Sequence, residues 1–428
     1  MMEGWKTDKF KNQIQYKSGY TWSKEQELKT QEPNSVRVLT VTNIQKELDL
    51  SEELYLQGVS EKDKKEKAVS KDWCIAVSSN GNRKRIGNAV FIKDDTDYLF
   101  ASFLTAFKPK DNSDILPDYF FRWLTSHNVQ ERITSVSEGT TGLGNLDIRY
   151  LRNMDIHFPE KQEQTAIAAM LSKVDEAIAA VQAGIATAER LKKSLMQNLL
   201  TGRMKPDGTL RKEDEFYVDE KFGRVPLGWE VKRLKDICLN SGDYGANASA
   251  IDYDETKPRF IRITDIDDFG QLLEEGKAGM SGDNYSKYLL EEDDFLFART
   301  GDTVGKSLLY KKEMGLAVYA GYLIKFSFDK SKVLPEYFDL IAKSEFFEAF
   351  KIAMKRVGAK PNINSREYCS FKFLLPSDTK EQKEIYGKFA NINKSQKSKQ
   401  QKIAVLERLK KSLMQNLLTG KNRVKQLK

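Results

Sequence analysis

Three consecutive cations, Arg83, Lys84 and Arg85, follow directly on the turn Ser79-Asn80-Gly81-Asn82. Arginine and lysine match the O6 and N7 edge of guanine, asparagine matches adenine, and all of them reach phosphates. Asn82 therefore joins the three cations as a candidate. A second set lies downstream, with Arg299, Thr300 and Lys306 around Gly301-Asp302. Two glycine-containing loops supply the rest: Thr140 and Thr141 in residues 138–146, and Lys360 and Asn362 in residues 357–362. The chemistry on offer is hydrogen bonding to a polyanion or to base edges. Taken singly, each of these side chains also reads as a solvated surface group.

Catalytic patterns are missing from the sequence. No GxxxxGK[ST] loop cradles phosphates, no GxGxxG follows a strand, and neither HExxH nor GxSxG occurs. Pro206-Asp207 with Asp219-Glu220-Lys221 imitates the carboxylate-and-lysine pattern of metal-dependent nucleases. These residues sit in a polar stretch where no strand is expected to hold them. Cys74, Cys238 and Cys369 are too sparse for a disulfide framework, and the two histidines, His127 and His157, lack ligand spacing. No metal site and no catalytic residue is expected.

The elements that must position the candidates occur twice. Residues 189–202 and 407–420 both read ERLKKSLMQNLLTG, fourteen identities at a separation of 218 residues. That separation is domain-sized, far beyond a solenoid period. LPDYF at 116–120 matches LPEYF at 334–338, and Glu163-Gln164 matches Glu381-Gln382. Further upstream the offset drifts, to 222 between VLTVTNI (38–44) and FIRITDI (260–266), and to 224 between Gly4-Trp5 and Gly228-Trp229. Small insertions belong in loops. Each copy thus has a divergent front and a fixed rear, a common scaffold presenting two different faces.

Within the first copy, Val36–Ile44, Trp73–Ser78, Ala89–Ile92, Tyr98–Phe107 and Leu151–Phe158 are predicted strands, and a helix follows Pro117. Residues 45–70 read as a solvent loop or a short exposed helix. In the second copy, Phe260–Ile263, Phe295–Ala298 and Ala317–Phe328 are predicted strands and Glu336–Phe350 a helix. Arg299–Asp302 stands where the first copy has Ser79-Asn80-Gly81, and residues 357–362 stand opposite the first glycine loop.

The fixed rear of each copy is a long helix. Ile167, Leu171, Val174, Ile178, Val181 and Ile185 follow one another at steps of four and three, a heptad seam, continued slightly out of phase by Ala188, Leu191, Leu195 and Leu199. The second seam runs through Ile385, Phe389, Ile392, Ile403, Leu406, Leu409, Leu413 and Leu417, with polar Gln396 and Lys399 between. At 1.5 Å per residue each helix is roughly 57 Å long. Such a stripe is stable only when buried. The two helices are natural antiparallel partners, with the polar pair weakening or fixing the register mid-coil. The bland alternative packs each helix on its own domain.

The formal charge is +8. Residues 1–150 carry 22 basic and 22 acidic residues, whereas 381–428 carry 13 and 3, so the excess lies in the last segment. That excess reads as a solvated tail or as a phosphate- or partner-facing surface. No apolar run reaches membrane-spanning length and no signal peptide is seen, so the cytoplasm is the expected compartment.

With its Gly-Trp openings, its Glu-Gln helix starts and its repeated LKKSLMQNLLTG ends, the chain resembles the specificity subunit of Type I restriction-modification systems over nearly its whole length. The resemblance implies an α/β (α+β) fold, with two target-recognition domains (1–158 and 226–376) separated by two long antiparallel coiled-coil helices (159–202 and, together with a basic C-terminal tail, 377–428) and a linker at 203–225. It implies that each domain reads one half of a bipartite, asymmetric site in double-stranded DNA, and that the helices set the spacer. It further implies two methylation subunits and two restriction subunits as partners. S-adenosylmethionine, ATP and Mg2+ would be used by those partners, with no cofactor in this chain. The competing reading is a non-catalytic coiled-coil adaptor that bridges two proteins and reads no bases.

Overall fold

The computed structural model describes residues 4–137, 144–267, 269–354 and 361–424. The chain forms two compact units, one from residues 1–183 with 400–428 and one from 184–399. Strands and helices are mixed in both. The same construction recurs in each unit.

In the first unit a two-stranded ribbon joins Lys6–Lys9 to Asp155–Phe158. The main sheet is antiparallel, in the order Ile14–Ser18, Leu104–Pro109, Cys74–Val77, Ala89–Phe91. A second four-stranded sheet contains Glu27–Leu28, Tyr55–Leu56, Val36–Leu39 and Leu99–Phe100, the last two parallel. The second unit repeats all three. Trp229–Arg233 pairs with Lys372–Pro376. Its main sheet runs Asp243–Tyr244, Leu323–Phe326, Phe295–Ala298, Ser307–Leu309. Its second sheet runs Ala250–Asp252, Ala278–Met280, Arg259–Ile261, Ala317–Tyr319, again with one parallel pair. Cys74–Val77 and Phe295–Ala298 are buried at every position, as continuous apolar runs in central strands must be.

Several predicted elements are broken or extended. Tyr98–Phe107 is two strands, one in each sheet, with a turn at 101–103; Ala317–Phe328 is split the same way. Leu151–Phe158 is half helix, because Ile148–Asn153 is capped by Asp147, whose carboxylate accepts from the Tyr150 amide at 2.8 Å. The strand begins only at Asp155. Val36–Ile44 stops at Leu39 and tightens into a 3-10 turn held by Asn43. Residues 45–70 contain the helix Glu61–Lys67 and also a buried strand, Tyr55–Leu56. Glu336–Phe350 is two helices, Pro335–Ile341 and Glu345–Met354. The stretch 203–225 carries a hairpin of Phe216–Asp219 and Gly223–Pro226. Asp207 and Asp219 there cap turns, accepting from the Thr209 amide and from the Lys221 and Phe222 amides, each at 2.8 Å. Among the described residues no cluster of His, Cys, Asp or Glu is arranged to hold a metal ion.

The two long helices are Lys161–Leu199 and Thr379–Leu417, each of 39 residues. Both lack proline and both end at a glycine in the left-handed region, Gly202 (φ 67°) and Gly420 (φ 69°), where a side chain would be strained. Each unit takes half of each helix, and within each unit the halves run antiparallel. In the first, Lys410 pairs with Asp175 at 2.6 Å and Arg423 with Glu163 at 2.7 Å. In the second, Lys192 donates to Asn393 at 2.8 Å and Lys399 to the Gly184 carbonyl at 3.1 Å.

Burial along the predicted seam is uneven. Ile167, Leu171, Ile385 and Phe389 are fully enclosed in their domain cores, together with Leu417 and Leu418 in the first unit and Leu199 and Leu200 in the second. Val174 is buried, whereas Ile178, Val181, Ile185, Ile392, Ile403, Leu406 and Leu413 are half-buried. Leu191 and Leu409 have left the seam, at 52% and 46% exposure. A 3.6-residue helix drifts about 20° per heptad against a 3.5 repeat, which carries these equivalent leucines outward.

The Glu-Gln start of each long helix has a structural reason. The Gln164 amide donates to the carbonyls of Asp114 (2.9 Å) and Pro159 (2.8 Å) and accepts from the Leu116 amide (2.8 Å). Gln382 does the same with Lys332, Pro376 and Leu334. Both glutamines are fully buried with their amides paired, so each pins its long helix to the segment entering the short helix at Pro117 or Pro335.

Candidate nucleic-acid interface

In each unit the buried central strand of the main sheet delivers one polar segment to the surface, and a second segment pairs with it there. In the first unit Ser79–Asn80 pairs antiparallel with Gly144–Asn145. In the second, Thr300 bridges Asn362, the Gly301 amide donates to Pro361 at 2.9 Å and the Ile363 amide to Arg299 at 2.9 Å. The two loops singled out in each copy are therefore brought together, and by the same pairing.

The local chemistry fixes the first cluster. The Asn80 side chain accepts from the Asn82 amide at 2.8 Å, and the Asn82 side chain from the Lys84 amide at 3.1 Å. These successive Asx turns cap a 3-10 turn, Arg83–Arg85. Asn82, Arg83 and Lys84 are exposed. Arg85 points the other way and donates to the carbonyls of Val41 (3.0 Å) and Ile44 (2.7 Å). Lys306 occupies the matching place, donating to Ile266 at 3.3 Å. Both cations thus hold the equivalent 3-10 turns, Val41–Asn43 and Ile263–Asp265, against the sheet.

Arg299 is the best-prepared donor of the second cluster. Its guanidinium lies over the Tyr244 ring at 4.8 Å, and its buried Nε has no hydrogen-bond partner. Tyr244 is held in turn, its hydroxyl accepting from the Ser365 amide at 3.2 Å. Thr300 is half-buried and Asn362 exposed. Thr140, Thr141 and Lys360 lie outside the described residues.

Sequence reasoning missed one pair beside these clusters. Ala101-Ser102-Phe103-Leu104 and Ala320-Gly321-Tyr322-Leu323 form equivalent turns between the two sheets. The Phe103 carbonyl accepts from the amides of Ser78 (2.8 Å) and Ser79 (3.1 Å), and the Tyr322 carbonyl from that of Arg299 (3.0 Å). The shared pattern Ala-x-aromatic-Leu at an offset of 219 was the signal available.

Residues 2–190 and 226–408 match the family model described as Type I restriction modification DNA specificity domain. The chain is 25% identical over 333 residues to the Type I restriction enzyme MjaVIII specificity subunit of Methanocaldococcus jannaschii, covering 76% of this chain and 74% of that one. It is 26% identical over 205 residues to the MjaIX specificity subunit of the same organism, covering 46% and 44%. Among solved structures, the S subunit of a Type I restriction-modification system from M. genitalium is similar in fold, with a TM-score of 0.56, 15% identity and 96% of each chain covered. A chain from a type I R-M system structure concerned with complex assembly and conformational transition gives 0.57, at 14% identity over 97% and 98%.

Proposed function

This chain belongs to the Type I restriction modification DNA specificity family, and from that premise we propose how it divides its work. Residues 1–158 read one half of a bipartite, asymmetric DNA site and residues 226–376 read the other. The long helices set the spacer and dock two methylation subunits, which two restriction subunits join. Methyl transfer from S-adenosylmethionine and cleavage driven by ATP with Mg2+ belong to those partners; this chain supplies sequence reading without catalysis.

The observation that carries this reading is the duplicated loop pairing. One backbone arrangement recurs in both units, yet it presents Asn82, Arg83 and Lys84 in one and Arg299, Thr300 and Asn362 in the other. An identical scaffold with different donors suits two different base patterns. In the first unit Arg83 and Lys84 contact phosphates or base edges, while Arg85 positions the turn. In the second, Arg299 is held ready by Tyr244, so little ordering is left to be done on binding.

The test is exchange of residues 1–158 for the equivalent region of another family member, followed by mapping of methylated adenines. One half-site should change and the other should not. Alteration of both halves, or of neither, would overturn the division. Within the second half-site, Arg299→Ala should cost about 1–3 kcal/mol and relax one position.

A further inference from the structure

The turns at Phe103 and Tyr322 are built alike and firmly. The Leu104 amide donates to Ala101 at 2.9 Å, and the Leu323 amide to Ala320 at 2.8 Å. Beneath each turn the opening strand passes so close that only glycine fits. A Cβ at Gly19 would lie 2.0 Å from the Ala101 carbonyl oxygen, and one at Gly245 would lie 2.3 Å from that of Ala320. The backbone under each aromatic is thus held from below by the close pass and from the side by the strand that leads to the polar loops. The rings themselves stand in solvent, with Phe103 53% and Tyr322 61% exposed. Among the described residues neither takes part in an aromatic pair.

A single exposed aromatic needs no explanation. Here two occur at one position of a duplicated scaffold whose surrounding surface has otherwise diverged. Each is one hydrogen bond from the segment carrying the candidate DNA donors. Ser102, beside Phe103 in the chain, and Asn145, paired with Ser79, are exposed and polar, and the 3-10 turn that follows Ser79–Asn80 carries exposed Arg83 and Lys84. An aromatic serving a protein partner would sit in a contiguous apolar patch; a rigid ring amid cations and amides suits nucleic-acid bases.

We propose that Phe103 and Tyr322 are base-contacting residues, each ring inserting as a wedge against a base step of the half-site read by its own unit. The inference rests on the reading that these faces bind DNA. An aromatic ring stacks on any base, and a ring inserted at a step unstacks it and bends the duplex. The pair would supply affinity and a preference for deformable steps, such as pyrimidine–purine, alongside the hydrogen-bonding donors.

The test uses the full chain assembled with its methylation subunits on a duplex bearing its mapped site, with 2-aminopurine placed at successive positions. The wild-type complex should raise fluorescence at one step in each half-site. Phe103→Ala should abolish the rise in one half-site only and Tyr322→Ala in the other, each weakening binding roughly 5- to 100-fold. Phe103→Tyr and Tyr322→Phe should retain both signals. Melting temperatures should not move, since neither ring belongs to a core. If the wild type discriminates its site but both alanine variants bind equally well and keep the fluorescence, the wedge is refuted and the DNA-reading face stands. If the wild type shows no site preference, the face itself is wrong. If the alanine variants fail to assemble with the methylation subunits, the rings dock protein and the proposal falls.

Discussion

Lys192 and Lys410 are the same residue of the repeated helix, yet they meet different partners. In the first unit Lys410 reaches Asp175, which also binds Arg122. In the second, Lys192 reaches Asn393, and Leu340 stands 218 residues after Arg122. Where the first unit has an ionic triad, the second thus has a neutral amide and a buried leucine. Burial raises the Asp175 pKa, but the hydrogen bond from Lys410 and the charge of Arg122 more than offset it, leaving the pKa below the ordinary 3.8. A depressed carboxyl pKa contributes stability above about pH 4 that is lost as the pH falls through the folded-state value. Asp175→Asn should therefore lower stability near neutral pH by about 3 kcal/mol, because Arg122 is left buried without a counter-charge, and should make the acid limb shallower. Urea melts of wild type and variant between pH 3 and 7 check both outcomes. Gln382→Ala should cost about 1–3 kcal/mol by stranding the Leu334 amide and two carbonyls; equilibrium unfolding against Gln382→Glu separates the acceptor from the donors. That Glu-Gln recurs was visible in the sequence. That the glutamine is a buried clamp was not, because two of its three partners lie about 50 residues away in loops without a pattern.

The long helices were the most legible elements, since fourteen identities and a heptad stripe need no tertiary knowledge. What the stripe concealed is its changing environment. At Ile167 and Leu171 the seam is part of a domain core, while at Ile178 and Val181 it lies outside that core and is only half-buried. Replacing Ile178 and Val181 together by Asp should destabilise the first unit by about 2–4 kcal/mol, less than one such change at Leu171, as measured by chemical unfolding. Leu191→Ala should be nearly silent. Strands were legible where they are buried on both faces, as at Cys74–Val77, and misread where a turn hides in an apolar run. Ala101-Ser102-Phe103 carries no turn signal. The break exists because the chain crosses there from one sheet to the other.

At the scale of the molecule, the chain forms two compact units. The cut falls within the helices, so the first unit draws on residues that the chain supplies only after the whole of the second. Leu413, Leu417 and Leu418 pack in the first unit's core, and Arg423 holds Glu163. A protein ending at residue 399 should keep the second unit folded while exposing Ile167 and Leu171 in the first. Limited proteolysis should then degrade the first unit selectively, and its survival would refute the shared construction.

The same feature orders events during synthesis. The first unit begins to leave the ribosome first but must wait for residues 400–424, roughly 10–45 s at ordinary elongation rates. The second unit, contiguous in sequence, closes during that interval. The unit made last is finished first, and its elder spends the delay with an open core, the interval in which a nascent chain has most need of a chaperone.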